Sequence, residues 1–315
     1  MALSTLGAFA FVPDSVAVRS QQMHVQGIAV DTLRSRMYFS FTDRFIATDY
    51  EGNLLGSIDR IEGHLGAMTL GPDGRVYASL ECKDDEIGRG IARRHGTEVT
   101  SESSFYIAVI DPETMKLETH RVKEACEDYS APGHRFGCSG IDGVTFAPKP
   151  GSKSGRKYLY IAYGVYSDTT RTDNDNQVLL RYDPSSWRCR DRYFIFTGNT
   201  AYGVQNMAWD ASTGNLFLAV YNGRKSRFPN YSLFEVDMSS LPVRSDVAGT
   251  GIRGKNLKVL SGWHFKWGST GLCPLGDGRW YFSENSRNAA TGLQDCVARL
   301  YLSDPAGQIP FVPKR

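Results

Sequence analysis

Five short stretches of this chain alternate apolar or aromatic residues with small or polar ones: RMYFSFT, RVYASLE, YLYIAYG, LFLAVYN and RWYFSEN. A period of two over so few residues is the pattern of a half-buried strand. Each stretch follows a turn-forming segment, such as GPDGR at 71–75, DASTGN at 210–215 and GDGR at 276–279. Before each turn lies a small, glycine-bearing segment: HVQGIAVD, HLGAMTLGP, GIDGVTFAP, GVQNMAWD and GSTGLCPLG. After each aromatic stretch comes a third segment ending in an aspartate, namely Asp49, Asp111, Asp183, Asp237 or Asp304. An aspartate followed by Pro, Ser or Gly makes a turn, because its side chain caps nearby backbone N–H groups. Fourth strands are expected at LLGSID, KLETHRV, RYFIF and NLKVL.

The repeated unit is therefore strand, hairpin, aromatic strand, loop, third strand, aspartate turn and an outer strand. Four short antiparallel strands repeated radially is the plan of a propeller blade. The aspartates are spaced roughly 54 to 72 residues apart, too long for the common solenoid periods. The expected fold is all-β: one five-bladed β-propeller over 1–315, with blades near 24–62, 63–123, 138–197, 202–261 and 268–315. The last blade has little chain left for an outer strand, so the N-terminal segment 7–12 is expected to complete it and close the ring, removing two exposed edges.

Over nearly its whole length, the chain resembles the β-propeller superfamily. The segments HVQG, GHLG and GCSGIDGVTF make it most like uncharacterised five-bladed bacterial propellers. Its similarity to gluconolactonase-like and strictosidine-synthase-like enzymes, which are six-bladed, is at the level of fold. The same holds for the five-bladed furanose-cleaving glycosidases, so the resemblance implies an architecture and no activity.

Alternating strand direction puts the entries to the first strands and the exits of the second strands on one face. Most of the long insertions fall on that face: 82–104, 123–139, 164–176, 222–231, 240–267 and 285–296. Loops held on a rigid scaffold are where binding and catalysis concentrate. The strand entries offer His24, Gln26, His64, Asp142, Gln205, Asn206 and Thr270. The strand exits offer Thr42, Asp43, Glu81, Tyr221, Asn222, Glu284 and Asn285. Thr42, Glu81, Gly164, Tyr221 and Asn285 align as one column of mixed polarity, which suits a lined pocket. A water-filled axial channel would also be polar, without any ligand. His24 and His64 share a position in adjacent repeats. His95, His120, His134 and His264 fall in loops or an outer strand and are read as surface residues.

Three chemistries fit such a pocket. Glu81 and Asp142 could act as acid and base on a glycosidic or related bond, with His24 or His64 as base or orienting group. Gln26, Gln205, Asn206, Tyr221, Glu284 and Asn285 would then bind the substrate, and Tyr221 could donate a proton. Alternatively, Glu81, Asp142, Asn206 and Asn285 could hold calcium for a lactonase- or phosphoesterase-like hydrolysis. In the third reading the face binds a glycan or a protein without catalysis.

The remaining sequence features narrow these choices. A formal charge of +2 with 22% charged residues gives no broad electrostatic case for nucleic acid or an anionic membrane. The six cysteines, at 82, 126, 138, 189, 273 and 296, have no CxxC or zinc spacing, so they read as reduced thiols and lean toward a cytoplasmic location. Cys138, beside the pocket, is read as packing. The N-terminus lacks a basic n-region, so no signal peptide is expected. The segment RTDNDNQ at 171–177 lacks the glycine and glutamate of a calcium loop, GRGIARRHG at 88–96 reads as a solvated loop or short helix, and no dinucleotide, P-loop or serine-elbow motif is present.

Overall fold

The aspartate turns form as the side-chain chemistry requires. Asp49 accepts from the backbone N–H groups of Glu51 and Asn53 at 3.0 and 2.8 Å. Asp111 accepts from Glu113 and Thr114, Asp183 from Ser185, and Asp237 from Ser239, each through the same side-chain cap. At the expected hairpin after Gly71, the Gly71 N–H donates to the Arg75 carbonyl at 2.7 Å. These turns set the strand registers, which are antiparallel throughout the repeated units.

The computed structural model describes residues 11–99, 102–304 and 306–314. It is all-β, built of curled antiparallel sheets in a propeller-like arrangement. Gly27–Asp31, Arg36–Ser40, Phe45–Asp49 and Leu54–Ile58 form one sheet in chain order. His64–Leu70, Val76–Cys82, Ser104–Asp111 and Lys116–Arg121 form a second. A third set comprises Cys138–Pro148, Lys157–Val165, Asn176–Asp183 and Arg188–Phe196. The fourth comprises Thr200–Trp209, Leu216–Asn222, Leu233–Val236 and Val259–Trp263, and the pairing of Gly164 with Gly203 joins it to the third. The last set comprises Leu272–Pro274, Arg279–Arg287 and Gln294–Ser303. Phe311–Pro313 and Ser15–Gln21 both pair along the outer edge of its Gln294–Ser303 strand. Among the described residues two α-helices, Glu86–His95 and Lys123–Ser130, sit in insertions.

The first strands touch in a closed cycle. Gly27–Asp31 meets His64–Leu70, which meets Cys138–Pro148, then Thr200–Trp209, then Leu272–Pro274, which returns to Gly27–Asp31. Between each neighbouring pair of sets lies an apolar layer: Tyr38 and Leu65 in the first, Phe105 and Ile161 in the next, Tyr160 and Leu218, Phe217 and Trp280, and Tyr281 and Phe39 around the rest. Gly27 is required where the first two sets approach, because a Cβ there would stand 2.9 Å from Ala67 Cα.

Three placements differ from the expectations. The strand that pairs with the last set is Ser15–Gln21, while residues 7–10 of the expected closing segment lie outside the described residues. NLKVL is not one outer strand. Val259–Trp263 fills that place, and Ile252–Leu257 runs parallel to the outer strand of the third set through Tyr193–Lys255 and Ile195–Leu257. With Val243–Val247 it forms a hairpin that covers an edge, so this part of the 240–267 insertion extends a sheet instead of decorating the face. Finally, His95 is buried, with Nε2 3.0 Å from Asp43 Oδ2 at the end of the first helix.

Near the axis, Asn206 is 2% exposed and its amide donates to the carbonyls of Gln26 at 2.8 Å and Ser269 at 3.0 Å, linking three sets. Asn206→Ala should cost about 1–3 kcal/mol, because it leaves two carbonyls without their donor. Urea unfolding of the variant checks this; an unchanged midpoint would mean the links carry no stability.

Candidate functional site

Glu81 leaves the second strand of its sheet directly opposite His64 on the first. It is 5% exposed and bridges two sheets. Its Oε1 accepts the Ile141 N–H of the third set at 2.8 Å. Its Oε2 lies 2.8 Å from Lys83 Nζ and 3.8 Å from His64 Nδ1. The backbone makes room for this carboxylate: Gly140 has φ +146, and a Cβ there would fall 1.7 Å from Glu81 Oε1. Lys83 follows Glu81 by two residues and so projects on the same side. Its ammonium also donates to the Ser139 carbonyl at 3.1 Å and lies 3.3 Å from Asp85.

Asp142, two residues beyond Gly140, is partly exposed and accepts from the Gln205 amide at 3.0 Å. The same amide donates to the Tyr202 carbonyl at 3.1 Å. Tyr202 has φ +67, and its ring meets that of Tyr221 edge-on at 6.4 Å; both rings are exposed, Tyr202 by 55% and Tyr221 by 37%. On the other side, the Gln26 amide lies 3.0 Å from His24 Nε2 and 3.3 Å from Thr42 Oγ1. Among the described residues, His64 Nε2 is buried without a hydrogen-bond partner, as is Ser79 Oγ.

The two carboxyl groups are driven in opposite directions. Burial works against ionisation of Glu81, but Lys83 and His64 outweigh it and hold the group below the usual carboxylate range. Burial first, and then the negative Glu81, push Asp142 well above that range, and Lys83 and Gln205 offset only part of the rise. Burial and the neighbouring His64 lower His24, so its imidazole is neutral at physiological pH. Lys83 is held above its ordinary value: burial works against this, but the Glu81 and Asp85 carboxylates outweigh it. Burial likewise raises Tyr221.

Direct contacts thus join Glu81 to His64, Asp142 to Gln205, and Gln26 to His24, and the Tyr221 ring meets that of Tyr202. Asn206 lies under them as a structural link between carbonyls. Glu284 is turned away, accepting from Arg299 Nε at 2.9 Å and the Tyr301 hydroxyl at 2.8 Å. Asn285 sits partly exposed at the strand end opposite Cys296. Cys138 is buried, and that burial raises its thiol. In the 171–177 segment, Asp175 is bound by Lys225 at 2.6 Å and Arg227 at 2.7 Å. Lys83, Ser139 and Tyr202 were not among the sequence candidates. Only the i+2 spacing from Glu81 to Lys83 could have pointed to one of them.

Among the described residues, no group of three or more His, Cys, Asp or Glu is arranged to hold a metal ion. All six cysteines are free, and among the described residues no helix is long and apolar enough to cross a membrane. A cavity of about 870 Å³ lies away from this cluster, at the hairpin ends of the first strands.

No family model matches the chain, nor does any curated protein sequence. Among solved structures, a glucose dehydrogenase shares 12% identity at a TM-score of 0.45, over 91% of this chain and 99% of that one. A functionally unknown protein from Desulfotomaculum acetoxidans DSM 771 shares 10% at 0.39, over 89% and 72%. A streptogramin B lyase shares 10% at 0.38, over 90% and 98%. Likenesses this distant assign no activity.

Because the folded state holds Asp142 protonated above the value of about 3.9 for a free aspartate, its contribution to stability is full in acid. That contribution is lost as pH rises through the elevated folded value. Asp142→Asn, which keeps the neutral shape, should therefore be more stable than the parent at pH 8, with the gap closing below about pH 4. Denaturant unfolding at the two pH values reads it; a gap that stays constant would show that Asp142 is not held protonated.

Proposed function

We propose that the chain is a five-bladed propeller, closed by the N-terminal strand Ser15–Gln21, that cleaves a C–O bond of a small carbohydrate-class substrate by acid–base chemistry. The cyclic contact of five first strands and the pairing of Ser15–Gln21 with the last set support the architecture. What carries the activity is the divided carboxyl pair: burial and the negative Glu81 push Asp142 well above the usual carboxylate range, while Glu81, bound by Lys83 and the Ile141 N–H, is held below it. Two carboxyl groups pushed apart in this way mark acid and base roles.

Asp142 is the general acid, protonating the departing oxygen. His24, whose imidazole is neutral at physiological pH, or His64 is the base. In hydrolysis the imidazole takes a proton from water as its oxygen attacks. In elimination it takes a carbon-bound proton next to a carbonyl, and the electron pair of that bond forms the double bond as the oxygen leaves. Glu81 does not exchange protons in either path; it fixes Lys83 and keeps Asp142 protonated. The exposed Tyr202 and Tyr221 rings offer an apolar surface for a sugar face, and the Gln26 and Gln205 amides offer hydrogen bonds. The Lys83 ammonium already supplies the positive charge that calcium would bring to Glu81 and Asp142, which opposes the metal-dependent reading.

The test is turnover of a glycoside, lactone and uronate library with and without a chelator. On any substrate found, Asp142→Asn should lower kcat by at least about 10²-fold. Activity should rise with pH as His24 loses its proton below the ordinary imidazole range, and fall as Asp142 ionises. Chelation should leave the rate unchanged. Loss of activity with chelator would establish the calcium reading, and ligand binding without turnover would establish a binding propeller.

A further inference from the structure

The opposite end of the axis holds a site that the acid–base cluster does not use. There the first strands end around the cavity of about 870 Å³, and each contributes an apolar wall: Ile28, Leu70, Phe146, Met207 and Leu272. The volume lies within the range of small-molecule pockets, which are mostly apolar with a few placed polar groups. Three cations stand among its lining residues. Arg75 is bound to Asp73 at 2.8 Å, and Arg156 to Asp183 at 3.1 Å, so both carboxylates in the lining have a partner. Lys157 differs. Among the described residues it has no carboxylate partner, and its Nζ instead lies over the Trp209 ring at 4.7 Å. The lining therefore carries one unanswered positive charge next to an aromatic wall, above an apolar interior.

We propose that this cavity binds an amphipathic organic anion, with its apolar body between the five first strands and its carboxylate or sulfonate on Lys157. Charge sets the choice of ligand. An amphipathic cation would meet Arg75, Arg156 and Lys157 at the mouth with both carboxylates already engaged, and a polar sugar would leave the apolar walls unsatisfied. The occupant enters at the end remote from Asp142, so its binding is separable from turnover at the polar cluster.

The probe is 1-anilinonaphthalene-8-sulfonate, compared with its uncharged analogue N-phenyl-1-naphthylamine, each titrated by fluorescence into the full chain. The sulfonate should saturate at one site per chain. Lys157→Gln should weaken it about fivefold and leave the neutral analogue within about twofold. Leu70→Trp, at a partly exposed wall position, should weaken both probes about tenfold or more by filling the cavity. Thr69→Trp on the same wall is the second filling variant should Leu70→Trp fail to fold, and a thermal melt of each variant establishes that it is native. No saturable binding, or sulfonate affinity equal in the parent, Lys157→Gln and the filling variant, would overturn the proposal.

Discussion

A carboxylate enclosed between two sheets has to be answered on every side, and Glu81 organises one end of this molecule by that requirement. Its two oxygens take a backbone N–H from the neighbouring sheet and an ammonium from its own. Taking one partner from such a buried pair typically costs about 3–5 kcal/mol, because an uncompensated charge is left behind. The surrounding chain is shaped to it. Gly140 is where a side chain would collide with Oε1, and Lys83 spans Glu81, Asp85 and the Ser139 carbonyl. Ile141 and Lys83 thus pin the second and third sheets together where the first strands begin.

That arrangement has a chemical consequence next door. Burial first, and then the negative charge fixed on Glu81, hold Asp142 well above the usual carboxylate range. Stability and reactivity are coupled here through one charge: the ion pair that holds the sheets also sets the acid. The far end of the axis works by different physics. Its walls are apolar, and its surplus charge, Lys157, rests on an aromatic ring. One ring of first strands therefore presents a hydrogen-bonded, titratable mouth at one end and an apolar, cationic-rimmed mouth at the other.

Much of the repeat was legible in the chain, because its signals are local. An aspartate before Ser or Gly caps its own turn, and an aromatic run of period two is a half-buried strand wherever it lies. The column that includes Glu81 and Tyr221 follows from that alignment. Other features depend on contacts remote in sequence. Glu284 and Asn285 are adjacent, and so they face opposite ways; only the packing of Arg299 and Tyr301 shows that Glu284 is the one already engaged by the neighbouring strand. The hairpin at Val243–Val247 and Ile252–Leu257 was masked because a strand pattern does not name its partner, and here the partner is the previous sheet. Burial of His95 needed Asp43, far upstream in the chain. The apolar cavity escaped because no single strand defines it; it exists only where all five converge.

The central claim is that burial, together with an ionised Glu81, holds Asp142 well above the usual carboxylate range. A carbon-13 titration of the Asp142 side-chain carboxyl, in the parent and in Glu81→Gln, tests it directly. The account predicts that Asp142 titrates well above the ordinary carboxylate range, after Glu81 has already ionised, and that it moves downward in the Glu81→Gln protein. An Asp142 that titrates in the ordinary range, or that does not respond to loss of the Glu81 charge, would contradict it.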